Sequence, residues 1–194
     1  MLAPMEKENK RRPGRPRSEA SREAILDAAY WQTMQRGYPA VTAASIAKAA
    51  GAGKQTLYRW WPSKAAVILD AFSEKSRARI DRPLEAATRN GDLPGFLRAA
   101  LATAAANASI LRHLMGEAQL DSQLRLSLRE RLIEPQRAAL RGILEASIPD
   151  AALREGMVAA ISGAIWCRLL LDEPLDEPLA IQLVALASGK GREQ

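Results

Sequence analysis

The sequence contains few of the residues that carry covalent or metal chemistry. Cys167 and His113 are the only residues of their kinds in the chain. A disulfide framework needs at least two cysteines, so a secreted disulfide-stabilised scaffold is excluded and a reducing, cytoplasmic location is expected. One histidine and one cysteine do not make a cluster of metal ligands, so we predict neither a metal nor a cofactor. We expect Cys167 to be a buried structural thiol.

Long apolar runs and strand-like alternation are also missing. The longest apolar stretch, Met157 to Leu171, is shorter than the roughly 20 residues of a membrane-spanning helix, and it includes Arg168. No apolar segment follows the basic residues at the N-terminus, so we expect neither a signal peptide nor membrane association. Helix formers dominate throughout, and the sequence therefore predicts an all-α fold.

The patterns typical of enzymes do not occur either. The chain has no glycine-rich phosphate-binding loop, and its single histidine and cysteine lie far apart in sequence, so no nucleophile–base pair is predicted. The chain is therefore predicted not to be an enzyme, and a small helical enzyme is the weakest functional alternative.

The charge of the chain is unevenly distributed. Residues 1–64 contain 12 basic and 5 acidic side chains, a net charge of +7, whereas residues 65–194 carry −1 within a total of +6. Such asymmetry indicates a basic module that binds a polyanion, joined to a module with another task. Double-stranded DNA is the expected partner.

Changes in composition divide the chain into three predicted parts. Residues 1–17 combine prolines with six basic side chains and predict a disordered basic arm. Residues 18–78 predict a small helical domain, in which a fourth helix follows Ser63 and continues toward Pro83. For residues 79–194 we predict five further helices, for a total of about nine. They lie at about 92–107, 109–118, 121–146 with a disturbance at Pro135, 150–171 and 176–188.

A helix-turn-helix is predicted within the second part. Ile46 and Ala50 lie on one face of a first helix. Leu57 and Trp60 lie on one face of a second helix, so the two pairs can pack together. Gly51 can adopt the left-handed conformation that turns the chain between them. A helical hairpin with no role in DNA binding is the alternative, and the basic residues around the second helix favour DNA.

The helix boundaries of this domain have clear signals. Ser18 and Ser21 are both candidate N-caps of the first helix, and Gly37 is a natural glycine for its C-terminal end. Thr42 is a candidate N-cap of the second helix, and Ser63 of the fourth.

The segment SIAKAAGAGKQTLYRWWPSK, residues 45–64, resembles the DNA-binding domain of TetR/AcrR-type bacterial transcriptional regulators. Arg22, the segment ILDAA at residues 25–29 and the pair Gly37-Tyr38 extend the resemblance, which covers about residues 18–75. Gly53 is a departure, because the family usually has a capping residue where the recognition helix opens. Trp61 also stands where phenylalanine is more usual.

Roles follow for individual residues as hypotheses. Four residues are predicted to contact phosphates, since positive charge and a helix N-terminus attract anions without sequence preference. They are Thr42, Lys54, Tyr58 and Lys64. Three others are candidates to reach base edges, since glutamine pairs well with adenine and arginine with guanine. They are Gln55, Thr56 and Arg59. We interpret Trp60 and Trp61 as core residues.

The arm resembles an AT-hook around Pro16. Arg15 and Arg17 flank this proline, and an extended arginine-rich strand can lie in a narrow A·T-rich minor groove. A basic tail that only raises non-specific affinity is the alternative. We favour the minor groove because the arm ends immediately before the domain it would assist. An architectural, low-specificity DNA binder using this arm is a further functional alternative.

For residues 79–194 the resemblance implies a ligand-binding and dimerisation domain. It implies a homodimer, and a repressor that an unknown small-molecule effector releases from a near-palindromic operator. The apolar residues of the last two helices agree with a dimer, because two terminal helices cannot readily bury all of them. They are Leu170, Leu171, Leu175, Ile181, Leu183, Val184 and Leu186.

The candidate ligand pocket is assigned to four residues of this domain. They are Phe96, His113, Met115 and Trp166. The small number of aromatic residues in this part of the chain suggests a mainly aliphatic wall. For His113, a surface or core position is the alternative.

Overall fold

The structure, a computed structural model, describes residues 19–189, without the side chains of residues 76–83. This part of the chain is all-helical, as predicted, and contains ten α-helices, a short 3₁₀ helix at Tyr38–Ala40 and a π-helical turn at Arg129–Ile133. The α-helices are α1 (Glu19–Arg36), α2 (Ala43–Ala49), α3 (Lys54–Tyr58), α4 (Lys64–Arg89), α5 (Leu93–Ala106), α6 (Ala108–Leu120), α7 (Ser122–Leu128), α8 (Glu134–Leu144), α9 (Ala151–Leu170) and α10 (Glu177–Ala187).

The head, which we define as residues 19–75, has a closed apolar core. Helix α1 buries Ile25, Leu26 and Ala29 at helical spacing and packs against α4 and α2. Ile46 from α2 and Leu57 from α3 are 0% exposed and meet this face. The three helices of the head are therefore held as a unit on the start of α4.

The predicted helix boundaries of the head are largely confirmed. Ser63 caps α4, with its Oγ accepting a hydrogen bond from the amide of Ala66 at 3.1 Å. Gly37 follows the last residue of α1 with a φ of +76°, a conformation that glycine adopts without strain. Ser21 lies inside α1 and does not cap it, whereas Ser18 lies outside the described residues.

Helix α4 does not end near Pro83 as the sequence suggests. It continues through this residue to Arg89. Leu84 and Ala87, beyond the proline, are buried in the core of the C-terminal part. We attribute the continuation to this burial, which offsets the helix hydrogen bond that a proline cannot make. The predicted boundary between residues 78 and 79 thus falls within a continuous helix.

The helix predicted for residues 121–146 is divided into three pieces. They are α7, the π-helical turn and α8, which is why the described residues contain ten α-helices. In the π-helical turn the amide of Glu134 donates to the carbonyl of Arg129. Pro135 follows directly and has no amide hydrogen, so a regular α-helix cannot satisfy the carbonyl of Arg131 here. The disturbance predicted at Pro135 begins one turn before it.

The body, defined as residues 84–189, has its own apolar cluster, formed mainly by α5, α8, α9 and α10. A second cluster joins the head to the body, because Leu114, Ala118 and Leu124 of α6 and α7 pack in the same buried group as the head core. Among the described residues, no helix combines the length and the apolar character needed to cross a membrane.

Candidate DNA-binding face and effector cavity

The N-terminus of α2 is fixed by a capping box. Thr42 Oγ1 accepts a hydrogen bond from the amide of Ser45 at 3.0 Å, and Ser45 Oγ accepts one from the amide of Thr42 at 3.1 Å. Thr42 is exposed, and its hydroxyl acts only as an acceptor in this box. Its own hydrogen therefore remains available to a phosphate oxygen.

The turn between α2 and α3 is built as the spacing predicts. Gly51 has a φ of +62°, and the amide of Ala52 donates to the carbonyl of Ala47 at 2.9 Å. Gly53 precedes α3 with no side chain to cap it, so the departure from the family pattern leaves this helix end without a side-chain hydrogen bond. Burial of Leu57 holds the short helix in place instead.

Helix α3 exposes most of the residues predicted to contact DNA. Lys54, Gln55, Tyr58 and Arg59 are exposed, and Thr56 is half-buried. Gln55 and Arg59 are four positions apart and share one face of the helical turn. Lys54 Nζ lies 5.6 Å from the ring centroid of Tyr58, so these two predicted phosphate contacts are neighbours. The arm residues Arg15 and Arg17 lie outside the described residues.

Lys64 has a different environment from the other predicted phosphate contacts. Its Nζ donates to the carbonyl of Tyr38 at 3.2 Å and lies 3.8 Å from the centroid of the Tyr38 ring. Burial lowers the pKa of this ammonium group. Lys64 therefore helps to fix the 3₁₀ helix, and its contact with DNA stays a prediction.

Tyr38 connects the head to α6 of the body. Its hydroxyl donates to Glu117 Oε1 at 3.0 Å, and its ring stacks on His113 with the centroids 4.9 Å apart. Burial, reinforced by the Glu117 carboxylate, raises the pKa of Tyr38 above its ordinary value of 10.0. Tyr38 thus adds a polar and a stacking contact between the two parts of the molecule.

The body contains a cavity of about 730 Å³ between α4, α5, α6, the π-helical turn, α8 and α9. This volume lies within the range of about 300–1,000 Å³ that is usual for small-molecule sites. Apolar residues form most of its wall, and three of its residues are charged: Glu85, Arg89 and Arg131. Its apolar residues are mainly aliphatic, as expected, and they are joined by three aromatic rings, from Phe72, Phe96 and Trp166.

The structure separates the four residues predicted to line a pocket. Phe96 and Trp166 are on the cavity wall, whereas His113 and Met115 are not. Leu111 is the residue of α6 that lines the cavity. His113, two residues later, points to another side of the helix and stacks on Tyr38. Met115 lies one turn beyond Leu111 and packs against the head cluster. His113 and Met115 therefore do not line this cavity, contrary to their prediction.

Sequence reasoning missed Arg131 as a cavity residue. The helix predicted for residues 121–146 included a disturbance at Pro135, but nothing distinguished Arg131 from the other arginines nearby. The available signal was Pro135, four residues later, because a proline removes the hydrogen bond to the carbonyl of residue 131 and displaces the preceding turn.

The last two helices leave an apolar surface uncovered. Leu171 and Ile181 are 64% and 59% exposed, and Leu170 and Leu186 are also exposed, whereas Leu183 is buried. Cys167 is exposed as well, so its prediction as a buried thiol is wrong. Ala160 and Gly163 on the same helix are also exposed, so one side of α9 has no covering layer among the described residues. Within residues 19–189, no group of three or more potential metal ligands occurs.

Two family models match the chain. Residues 25–71 match the model described as bacterial regulatory proteins of the tetR family, and residues 90–187 match the tetracyclin repressor-like C-terminal domain. The HTH-type transcriptional regulator YdeS of Bacillus subtilis (strain 168) is 34% identical over 163 residues, which cover 81% of this chain and 82% of YdeS.

Solved structures share the fold over nearly the whole chain. The crystal structure of the TetR family transcription regulator SCO0332 is 31% identical, covers 88% of this chain and 98% of its own, and has a TM-score of 0.70. Thermus thermophilus FadR, a TetR family repressor in complex with lauroyl-CoA, is 18% identical, with coverages of 89% and 95% and a TM-score of 0.67. The second likeness concerns the fold alone.

Proposed function

Because this chain belongs to the TetR family of bacterial transcriptional regulators, we propose that it is a cytoplasmic, homodimeric repressor that a small molecule releases from a near-palindromic operator. The family consists of transcriptional regulators, which sets the enzyme alternative aside. The observation that carries the proposal is the exposed surface of α3, where Gln55 and Arg59 share a face beside Lys54 and Tyr58.

The head supports sequence-specific binding in the major groove. A capping box, a left-handed glycine and a fully buried leucine hold α3 at a fixed angle to α2, so its side chains are presented as a rigid set. Contacts with phosphates set the position of such a helix, and contacts with base edges select the sequence. Gln55 and Arg59 are the proposed readers of bases, and Thr42, Lys54 and Tyr58 the proposed phosphate contacts.

A salt series tests DNA binding directly. The full chain is titrated against the DNA upstream of its gene, and the dissociation constant is measured between 50 and 200 mM salt. A protein that neutralises six to ten phosphates should lose about 10³–10⁵ in affinity over this range. A flat dependence on salt would exclude binding through the basic head. Selection from random oligonucleotides should return a near-palindrome; a merely A·T-rich pool would favour the architectural alternative.

Two substitutions on α3 separate the proposed roles. Tyr58→Phe should weaken binding to all sequences alike, because it removes the hydroxyl that is proposed to contact a phosphate. Arg59→Ala should relax the choice of base at one operator position, at a cost of about 1–3 kcal/mol. If Tyr58→Phe affected one operator only, its assignment to a phosphate would be wrong.

Removal of residues 1–17 tests the arm. The truncated chain should bind DNA with a smaller salt slope and with less preference for A·T pairs beside the operator, because it has lost six basic side chains. If neither quantity changed, the arm would be a passive tail. The full chain provides the control in the same titration.

The exposed apolar surface of α9 and α10 supports dimerisation. Contiguous apolar side chains on a surface are typical of interfaces, and a two-fold axis would place two recognition helices about 34 Å apart. Ile181→Glu should weaken self-association by about 30-fold or more, because it places a charge within the exposed apolar surface. Leu120→Glu is the matched control, since Leu120 is 94% exposed at the end of α6. Sedimentation equilibrium measures both variants, and an unchanged Ile181→Glu dimer would contradict this interface.

The cavity supports the effector part of the proposal. It lies between α4, α5, α6, α8, α9 and the π-helical turn, and α4 also carries the head. A molecule bound in the cavity therefore contacts the helix on which the DNA-binding unit is mounted. A ligand that binds the cavity more tightly in one orientation of the head than in the other will shift the population toward that orientation. Ala100→Trp, which places a bulky ring inside the cavity, should reduce or abolish the response to an effector while leaving operator binding intact.

A further inference from the structure

The charged residues on the cavity wall suggest the chemistry of its occupant. Glu85 and Arg89 are exposed on α4, four positions apart, and Arg131 is on the π-helical turn with its side chain 42% exposed. The remainder of the wall is apolar, with three aromatic rings, apart from three hydroxyl side chains and the amide of Gln136. An arginine offers a planar fork of donors that matches a carboxylate or phosphate, whereas the rings favour an apolar body.

Arg131 also begins a chain of contacts that reaches the end of α3. Its Nη1 forms an ion pair with Asp70 Oδ1 at 2.8 Å. The other oxygen, Asp70 Oδ2, accepts a hydrogen bond from Trp61 Nε1 at 2.9 Å. Trp61 is buried, and its amide donates to the carbonyl of Leu57 at 3.0 Å. Three contacts therefore connect the cavity wall with the recognition helix.

Asp70 depends on both partners. Its side chain is only 15% exposed, so the carboxylate has little access to water. Without Arg131 it would keep one neutral donor, the Trp61 indole, and a partly buried charge with so few partners is unstable. The carboxylate would regain hydration by turning outward, and that movement breaks the hydrogen bond to Trp61.

The π-helical turn gives Arg131 a backbone that can adjust. The wide turn Arg129–Ile133 has a pattern of hydrogen bonds found mostly as single insertions, often at functional sites. Pro135 cannot donate to the carbonyl of Arg131, so this carbonyl lacks the hydrogen bond from residue i+4 that a regular α-helix would give it. Pro135 itself lines the cavity, which places the irregular turn against the occupant.

We propose that the cavity binds an amphipathic anion, which has an apolar body and a carboxylate or phosphate head. The anionic head of this ligand binds Arg131 in place of Asp70, and Asp70 then releases Trp61 at the end of the recognition helix. The inference rests on the proposed function and names its ligand class and its route of coupling. Arg131 binds the ligand head, Asp70 changes its partner, and Trp61 is the positioning residue that carries the change to α3.

The test follows the Trp61 indole N–H in the full chain by ¹H–¹⁵N NMR. The chain has four tryptophans, and Trp61→Phe identifies the indole signal of Trp61. Decanoate and decyl phosphate, each added below its micelle threshold, are the anionic probes, and methyl decanoate is the neutral match. We expect at least one of the two anions to move the Trp61 signal, and the ester to leave it in place. An equal response to the ester, or no response to either anion, would overturn the proposal.

Substitution of Arg131 gives an arm of the test that needs no ligand. Arg131→Gln should move the Trp61 signal in the free protein and remove its response to the anions. Arg129→Gln is the matched control, because Arg129 is in the same turn, pairs with Glu134 and does not line the cavity. Arg131→Lys provides a second variant that keeps the charge but loses the fork, and its response to the anions should be reduced. A native Trp61 signal and a native response in Arg131→Gln would refute the relay.

Operator binding supplies the functional readout. The effective anion should weaken binding of the native chain by about 5- to 150-fold, the usual range for coupled sites, and should have no such effect on Arg131→Gln. An equal weakening of both proteins would overturn the role of Arg131. If the chain bound no operator at all, the proposed function would fail, while the indole signal would still decide whether the relay exists.

Discussion

The head and the body begin their helices with different residues. In the head, the two helices with side-chain caps begin after Thr42 and Ser63, which are neutral hydroxyl residues. In the body, every side-chain cap among the described residues comes from an aspartate carboxylate. These aspartates are Asp92, Asp121, Asp150 and Asp176.

This contrast has an electrostatic explanation. A carboxylate at a helix N-terminus satisfies the free amides and also interacts favourably with the helix dipole, so aspartate is a good cap wherever only stability matters. At a surface that meets phosphates the same charge would repel the ligand. The neutral caps of the head are therefore consistent with a DNA-binding surface, and the body is free to use the charged ones.

The largest effect on operator binding is expected when aspartate, the N-cap residue of the body, replaces the N-cap Thr42 of the head. Thr42→Asp should leave the free energy of unfolding within about 0.5 kcal/mol of the native value, because aspartate caps a helix as well as threonine does. It should nevertheless weaken operator binding by about 100-fold, since like charges brought together cost several kcal/mol. Thr42→Ser is the control and should keep both properties. Fluorescence anisotropy with operator DNA gives the affinity, and near-native binding by Thr42→Asp would refute the explanation.

A smaller effect is expected at the residue that joins the two parts. Tyr38→Phe removes the hydrogen bond to Glu117 and should lower the free energy of unfolding by about 1 kcal/mol. The folded chain holds the pKa of Tyr38 above the value of 10.0 that it has when unfolded. The contribution of the Tyr38 hydroxyl to the free energy of unfolding is therefore complete below pH 10, and it is lost as the pH rises through the pKa of Tyr38 in the folded chain.

Urea unfolding at pH 7, 9 and 10.5 measures this difference. Native protein and Tyr38→Phe should differ equally at the two lower pH values and less at the highest. In a Glu117→Gln background the same substitution should cost less, since the two residues interact. The other side chains that face Tyr38, namely Lys64 and His113, are present in all four proteins. A difference that did not change with pH would contradict a role for the hydroxyl.

The same contrast explains which parts of the molecule can be predicted from the sequence. In the head, the signals are local: Thr42, Gly51 and Ser63 determine where helices start and turn, and the spacing of Ile46 and Leu57 determines which faces meet. A site built from the exposed side of such a unit follows from neighbours in sequence. Most of the predicted contact residues of α3 are accordingly exposed.

A cavity has no such local signal. Its wall is collected from five α-helices and the π-helical turn, and it depends on how their faces meet over long sequence distances. His113 and Met115 were assigned by residue type, but His113 lies on another side of α6 against Tyr38, and Met115 lies one turn beyond the cavity against the head cluster. The same holds for Cys167, whose exposure depends on how many helices cover α9. The π-helical turn at Arg131 could not be predicted from Pro135 alone, because it also depends on how the surrounding helices pack.

The caps of the body offer a test on stability alone. Asp150 Oδ1 accepts a hydrogen bond from the amide of Leu153 at 2.7 Å at the start of α9. Asp150→Ala should cost about 1 kcal/mol, which lowers the melting temperature by roughly 2–4 °C in a chain of this size. Asp150→Ser should recover most of the loss. Operator affinity should not change in either variant, and a loss of affinity would show that this end of the body also meets DNA.

The smallest effect is expected at Gly53, where the head lacks a side-chain cap. Its φ of −76° is ordinary for any residue, and the nearest atom to an added Cβ would be Thr56 Oγ1 at 3.8 Å, so a side chain fits. Gly53→Ser should raise the free energy of unfolding by a few tenths of a kcal/mol, and Gly53→Ala should remain below it because alanine cannot cap. Gly53→Asp should cap equally well but bind operator DNA more weakly than Gly53→Ser. Thermal unfolding and anisotropy measure the two quantities, and equal affinities for the serine and aspartate variants would mean that the start of α3 is remote from the phosphates.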